Sequence, residues 1–313
     1  MTIEALPKHL RERTRLARTG TTGPSRTSAP VVYWQRKVLR ADDNAALEVA
    51  IAAAHERGAE LLVLLTVEDR YKHATARRQT FVLEGALAVA VQLREKGLRV
   101  ALHVARRGHR QNVIRSLSHR ASLIVAEEPF CSPWLAGVND LVAAASPAEI
   151  WLVDSDSLVP CSLVAPSSCH RAYAYEAATK TLLRARVTAP VWPKQPLPLP
   201  PSWQGAVPGA ESERSLPGVN EKCAGMDPFE LQAAVAALVS EMDAADQSVR
   251  RYTIHFRCAH TASDIDRVQY IVYYVPILTI LHMAQLGAHT WRLLARVRAM
   301  GSFLGTRRPR RLR

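Results

Sequence analysis

Residues 31–47 read VVYWQRKVLRADDNAAL. An apolar run ends at Trp34, cations then alternate with aliphatics, and Asp42, Asp43 and Asn44 precede an alanine-rich stretch. This order spells strand, loop, helix. β-Branched and aromatic residues suit a pleated, buried strand, and Asp or Asn side chains accept from the free amides that open a helix. Asp42 or Asp43 is the expected cap, and Asp43 and Asn44 are read as capping groups in preference to ligand groups. Gly58 should end the helix in the left-handed conformation that other residues resist, and Gly97 should end the next one.

The same alternation continues along the chain. Apolar runs at 30–34, 60–67, 98–104, 121–126 and 148–153 have strand length and suit a sheet buried on both faces. Helical stretches lie between them near 43–57, 75–96, 109–119 and 133–145. Strict β/α alternation with short connections predicts an α/β fold over 30–188: a five-stranded, parallel, doubly wound (Rossmann-like) sheet with right-handed crossovers. A proline-dense linker follows over 189–226, where neither helix nor central strand can form. Beyond it, DPFELQAAVAALVSEMDAADQSVR (227–250) predicts an amphipathic helix with Asp227 as cap, opening a second, mostly α-helical segment over 227–300.

The net charge of +13 is unevenly spread. Residues 1–29 and 286–313 carry +12 of it, leaving +1 on the 256 residues between. The tails, read as a basic flexible leader over 1–29 and a basic tail over 301–313, suit weak contacts with phosphates more than a sequence-reading site. Five scattered cysteines without a C-x-x-C spacing point to free thiols in a reducing compartment. No apolar secretory segment opens the chain, so an intracellular, nuclear or organellar address is expected and secretion is not. The stretch 268–291 lacks Lys, Arg, Asp and Glu, but Gln269, Pro276, His282, Gln285 and His289 interrupt it. A buried helix is preferred there to a membrane span. No G-x-G-x-x-G follows the first strand and no GK[ST] occurs, which argues against a dinucleotide dehydrogenase or a P-loop enzyme. His255, His260, His282 and His289 share no ligand spacing, so no metal is expected.

Ligands of such sheets sit outside the carboxyl ends of the strands, where strand order reverses. That rim should hold the Trp34–Asn44 loop, the loop Glu127-Glu128-Pro129-Phe130 and the turn Val153–Asp156. Glu127 and Glu128 are adjacent in a loop, a poor arrangement for acid–base work, which needs burial to separate two pKa values. Asp154 and Asp156 are read as turn formers. No catalytic residue is assigned.

Tyr33-Trp34-Gln35-Arg36-Lys37-Val38-Leu39-Arg40-Ala41-Asp42-Asp43-Asn44 resembles the first strand and loop of the photolyase/cryptochrome family, most closely the class II cyclobutane pyrimidine dimer photolyases. The basic LRERTRLARTG before it resembles their arginine-rich leader. ATARRQTFVLEGALAVAVQL (74–93), WLVDSDSLVPCSLVAPSS (151–168) and CHRAYAYEAATKTL (169–182) are similar to their second helix, Val-Pro turn and Tyr-Ala-Ala helix. Leu281-His282-Met283-Ala284-Gln285-Leu286-Gly287 is similar to the stretch where members begin to grip FAD, while the phosphate-holding serines fall on Val275 and Leu278. An Arg-Asp pair of the family reads Lys37-Val38 here, a Trp reads Ala45, and two arginines read Glu176 and Thr179.

The resemblance implies light-driven, FAD-dependent repair of pyrimidine dimers, with DNA as partner, in a chain truncated within its FAD-binding domain. It also implies an antenna pigment of deazaflavin or folate type at Trp34, Arg36, Lys37, Arg40, Glu127 and Phe130, and flavin contacts at His282 and Gln285. Two other readings stand beside it. In one, Trp34 packs under the linker and the rim cations are solvated. In the other, the chain is a non-catalytic module that binds a nucleotide, a chromophore or a protein.

Overall fold

A computed structural model describes residues 2–21, 29–70, 74–188, 198–205, 207 and 228–242. The chain divides into two compact units, Met1–Tyr252 and Thr253–Arg313, and every described residue belongs to the first. That unit holds strands β1 (Thr14–Arg18), β2 (Val31–Gln35), β3 (Leu61–Val67), β4 (Val100–Val104), β5 (Leu123–Glu127) and β6 (Glu149–Val153). Its helices are α1 (Lys8–Arg11), α2 (Ala45–Arg57), α3 (Ala76–Glu95), α4 (Val113–Ser118), α5 (Trp134–Ala143), α6 (Ala172–Thr188) and α7 (Pro228–Glu241).

The sheet order is β1-β6-β5-β2-β3-β4. All neighbours from β6 to β4 are parallel, as the alternation predicted, and every residue of β2, β3, β4 and β5 is buried. The expectation of five strands is corrected to six. TRLAR of the basic leader forms β1, pairing antiparallel with β6 as an edge strand. Its arginines hid it. A strand of alternating cations looks like solvated chain until its partners are known.

Successive side chains divide between the two faces. Val31 and Tyr33, with Leu61, Val63, Leu65 and Trp151, enter the cluster shared with α2 and α3. Val32 and Trp34, with Leu62, Leu64, Ile124 and Leu152, enter the cluster shared with α4 and α5. Two helices on each face follow from right-handed crossovers that run outward through β3 and β4, then return to β5 on the other side of β2. The order therefore reverses between β2 and β5.

Helix α2 begins at Ala45, two residues after the start of the stretch expected near 43–57. Asn44 is its cap, its side chain accepting from Leu47 N at 3.2 Å. Asp43 has φ 47°, a left-handed residue of the approach, and Asp42 faces Lys96 instead. Gly58 ends α2 at φ 58° and Gly97 follows α3 at φ 84°, as the sequence predicts.

The described linker residues lie along the start of β3, where Leu61 N donates to Pro201 O at 2.8 Å and Trp203 N to Leu61 O at 3.1 Å. Trp203 is buried beneath them in the α4/α5-face cluster. Helix α7, read from sequence as the opening of a second body, packs Val235, Leu238 and Val239 into the α2/α3-face cluster, joined by Met242 just beyond its end. No described helix is long and apolar enough to cross a membrane, and 268–291 lies outside the described residues.

Short helix α1 lies on α2, with Leu6 and Leu10 buried and His9 Nε2 3.7 Å from Glu48 Oε2. Burial, reinforced by Asp43, pushes the Glu48 carboxyl from 4.5 up to about 7. The unfolded chain then releases this proton at lower pH than the folded one. The contribution to stability is full below pH 4.5 and is lost as pH rises to about 7. His9 opposes this weakly, since burial and Arg13 hold its pKa below 6.5. Glu48→Gln should therefore flatten this slope and raise unfolding stability near pH 8 by about 2 kcal/mol, read from paired denaturant titrations across pH. A variant as pH-dependent as the parent would refute the assignment.

Candidate functional site

The site is built where β2 and β5 part. On leaving β2 the chain turns back on itself, and Gln35 Nε2 holds the turn by donating to Val38 O at 2.6 Å and Arg40 O at 3.2 Å. Across the reversal point, β5 ends in Glu127, which is 1 % exposed. Its Oε2 accepts from the backbone amides of Arg36 (3.3 Å) and Lys37 (2.7 Å). Its Oε1 accepts from Val38 N (3.0 Å) and the Tyr33 hydroxyl (3.1 Å). Four donors on two oxygens suit a carboxyl that only accepts. Burial pushes its pKa above the ordinary value, against the pull of the Lys37 and Val38 amides and the charges of Lys37 and Arg36.

Tyr33 extends the network inward. Asn44 Nδ2 donates to its hydroxyl at 3.0 Å and to Arg40 O at 3.0 Å. Burial and the Glu127 charge push the Tyr33 phenol well above its usual pKa. One network of Glu127, Tyr33 and Asn44 thus fixes the end of β2, the loop and the start of α2.

The aromatic and the cations of the opening stretch are committed to one another. Trp34 is buried, its Nε1 donating to Thr66 Oγ1 at 2.9 Å. The Arg36 guanidinium lies 3.8 Å from the Trp34 ring centroid and donates to Trp134 O at 3.2 Å. Burial draws the Arg36 pKa down to about 10, while Glu127 and Glu68 resist the fall. Gly137 of α5 admits this stack, since a Cβ there would stand 2.8 Å from Arg36 Nη1 and 3.6 Å from the Trp34 ring. The Lys37 ammonium meets the Asp156 carboxylate and Glu128 O (2.8 Å), 5.1 Å from the Phe130 ring. Arg40 Nη2 donates to Ser155 O at 3.0 Å.

The turn after β6 is as self-contained. Asp154 accepts from Ser157 N and Cys161 N, each at 3.0 Å, and Ser155 Oγ accepts from Ala46 N at 3.1 Å. Asp154 forms the turn as the sequence suggests, whereas Asp156 serves Lys37. Glu128 points away from Glu127 and takes both prongs of Arg15 on β1 at 2.6 and 2.7 Å. The two carboxylates share no site.

The structure thus gathers Trp34, Arg36, Lys37, Arg40, Glu127 and Phe130 at one rim. Of these, Phe130 stands half exposed, and the three cations are each bound internally. His282 and Gln285 lie outside the described residues, as do Val275 and Leu278. Sequence reasoning missed Tyr33, Thr66, Gly137 and His103. Thr66 and His103 pair in register on β3 and β4, and burial with Arg106 and His109 holds the His103 imidazole neutral, its pKa drawn down to about 4. Polar residues inside otherwise apolar strands were the available signal. Among the described residues no cluster of His, Cys, Asp or Glu could hold a metal ion. Nor do the rim cations fit an acidic pigment as free anchors, because each would first have to leave its present partner.

A family model described as DNA photolyase matches residues 31–200. The chain belongs to the DNA photolyase family. A deoxyribodipyrimidine photo-lyase of Methanothermobacter thermautotrophicus is 28% identical over 137 residues, covering 44% of this chain and 30% of the relative. The structure of a bacterial class III photolyase from Agrobacterium tumefaciens aligns over 57% of this chain and 36% of its own, with TM-score 0.42 and 19% identity. An archaeal photolyase from Sulfolobus tokodaii, solved with two FAD molecules, aligns over 55% and 37%, with TM-score 0.41 and 14% identity. This photolyase-family chain spans about a third of the length of these relatives.

Proposed function

We propose that this protein serves class II-type photolyase chemistry: light-driven, FAD-dependent reversal of cyclobutane pyrimidine dimers in DNA, with the described unit as the α/β scaffold. The observation that carries the reading is the family match over 31–200, which spans the whole parallel sheet and its reversal-point loop. A bound reduced flavin would supply the electron that splits the dimer. His282 and Gln285 are the positions proposed to touch it, by their resemblance to the flavin-gripping stretch. Within the described unit, hydrogen bonds among Glu127, Tyr33 and Asn44 tie the rim together, and the buried Arg36 stacks on the buried Trp34 beside them.

The test is to incubate the purified full chain with FAD and a reductant, then with an ultraviolet-irradiated oligothymidylate. Blue-light-dependent loss of dimers is expected, together with the absorption of bound flavin. Dimer counts equal in light and dark would overturn the reading.

One observation favours a second reading, a module of the same fold without a pigment. The three rim cations already have partners within the protein. Under that reading, adding a deazaflavin or a folate leaves the protein colourless after gel filtration and its melting temperature unchanged. Retention of either pigment excludes it.

A further inference from the structure

We propose that the β4–α4 edge of the sheet is a docking surface for the phosphate backbone of duplex DNA, independent of any lesion. From Gly97 to Ala126 the sequence holds six arginines and three histidines and no Asp or Glu. The stretch contains β4, the loop after it, α4 and nearly all of β5, and β4 is the outermost strand on its side of the sheet. The residues between the two tails sum to only +1, so this is a local concentration of charge and not the general character of the fold.

The strip is built, not loose. Val113, Ile114, Leu117 and Ala121 are buried and fasten α4 to the sheet. Two arginines act as pins. Arg106 Nε donates to Glu241 Oε2 of α7 at 2.7 Å, and Arg110 meets Asp69 Oδ2 from Nη2 at 2.8 Å and from Nε at 3.2 Å. Gly108, at φ 80°, makes the tight turn between them, closed by His109 N on Arg106 O at 2.8 Å. Outside the pins, Arg107 and Arg115 are exposed, and their guanidinium groups bond no described residue. His119 and Arg120 are exposed at the end of α4.

Guanidinium groups on a fastened turn and helix suit a stiff polyanion, because phosphate takes two parallel N–H donors from one planar fork and less side-chain freedom is lost per hydrogen bond. A membrane-surface helix needs apolar side chains beside its cations, and here α4 buries all of its own. This inference rests on the photolyase reading only in taking DNA as the polyanion, and its test needs neither light, flavin nor a dimer.

Binding of a fluorescein-labelled, undamaged duplex to the full chain is followed in the dark by anisotropy across a salt series. The double variant Arg107→Glu/Arg115→Glu should bind at least about tenfold more weakly at low salt, and its slope of log affinity against log salt should be shallower by about 2. The matched control, Lys180→Glu/Arg184→Glu, makes the same charge change on exposed positions of α6. Equal losses in the two double variants would overturn the inference, because charge alone would then account for them. So would an unchanged Arg107/Arg115 variant. Association with vesicles of equal parts phosphatidylcholine and phosphatidylserine that is lost in that variant, with duplex binding intact, would assign the strip to lipid and overturn it equally. The basic tails are the same in all three proteins, so any contribution from them cancels in the comparison.

Discussion

Glu127→Ala is expected to lower the free energy of unfolding by about 4 kcal/mol, read from urea or guanidinium midpoints at neutral pH. The carboxyl is 1 % exposed and accepts from three consecutive amides and the Tyr33 hydroxyl. Truncation leaves those four donors facing a small apolar methyl. An unsatisfied buried donor costs about 1–3 kcal/mol, though water entering the space offsets part of the total. The Arg36 and Lys37 charges also lose the negative charge that they surround. Glu127→Gln is expected to fall about halfway, because its amide keeps one acceptor and turns a donor towards amide hydrogens. A loss below about 1 kcal/mol in the alanine variant would show that the loop is held by Gln35 and Asn44 without the carboxylate. The same variant separates structure from chemistry. If the purified protein keeps its melting profile and loses the light-dependent repair proposed for it, Glu127 would have a role beyond holding the loop.

How much of this was legible follows from what each residue does. The five parallel strands announced themselves because burial on both faces requires near-continuous apolar runs such as LLVLL at 61–65, and Gly58 and Gly97 marked helix ends by backbone freedom alone. The place of the rim was legible too, since topology fixes where strand order reverses. What its side chains do there was not. Glu127 lies 91 residues from Arg36 in sequence, and no local pattern tells a clamp on backbone amides from a ligand-binding acid. The cations misled for a related reason. Arg36, Lys37 and Arg40 read as anchors for an anion or as solvated charge, but the loop folds so that Trp134 O, Asp156 and Ser155 O meet them first. The leader failed in the same way, with arginine counted as charge where it acts as a fan of hydrogen-bond donors. Helix α7 had a legible amphipathic face, but nothing in the proline-rich linker before it told which body that face would meet.

The leader gives the second large effect. Arg13→Ala is expected to cost about 3 kcal/mol and to release β1 first. Arg13 is 7 % exposed and spreads its guanidinium over the turn after β6, with Nη1 on Asp154 O at 3.1 Å and Nη2 on Leu158 O at 3.0 Å. Nη1 also reaches Ser157 O, and Arg13 O accepts from Asp154 N at 2.9 Å. A charged donor shared among three carbonyls contributes more than a surface ion pair, and alanine leaves those carbonyls to whatever water can enter. Arg13→Lys should recover less than half of the loss, because an ammonium point cannot span acceptors that a planar fork spans. Arg15→Ala is the contrast. Its partner Glu128 is well placed, but the Arg15 side chain is 57 % exposed, and less than about 1 kcal/mol should be lost. Amide exchange locates the failure. In Arg13→Ala, the amides of Thr14–Arg18 should exchange at free energies well below that of global unfolding, while those of Val31–Gln35 still exchange only on global unfolding. If both strands weaken together, β1 is part of the cooperative core and not an edge added to it. If neither changes, the antiparallel pairing with β6 and the burial of Leu6 and Leu10 hold the leader without the arginine fan.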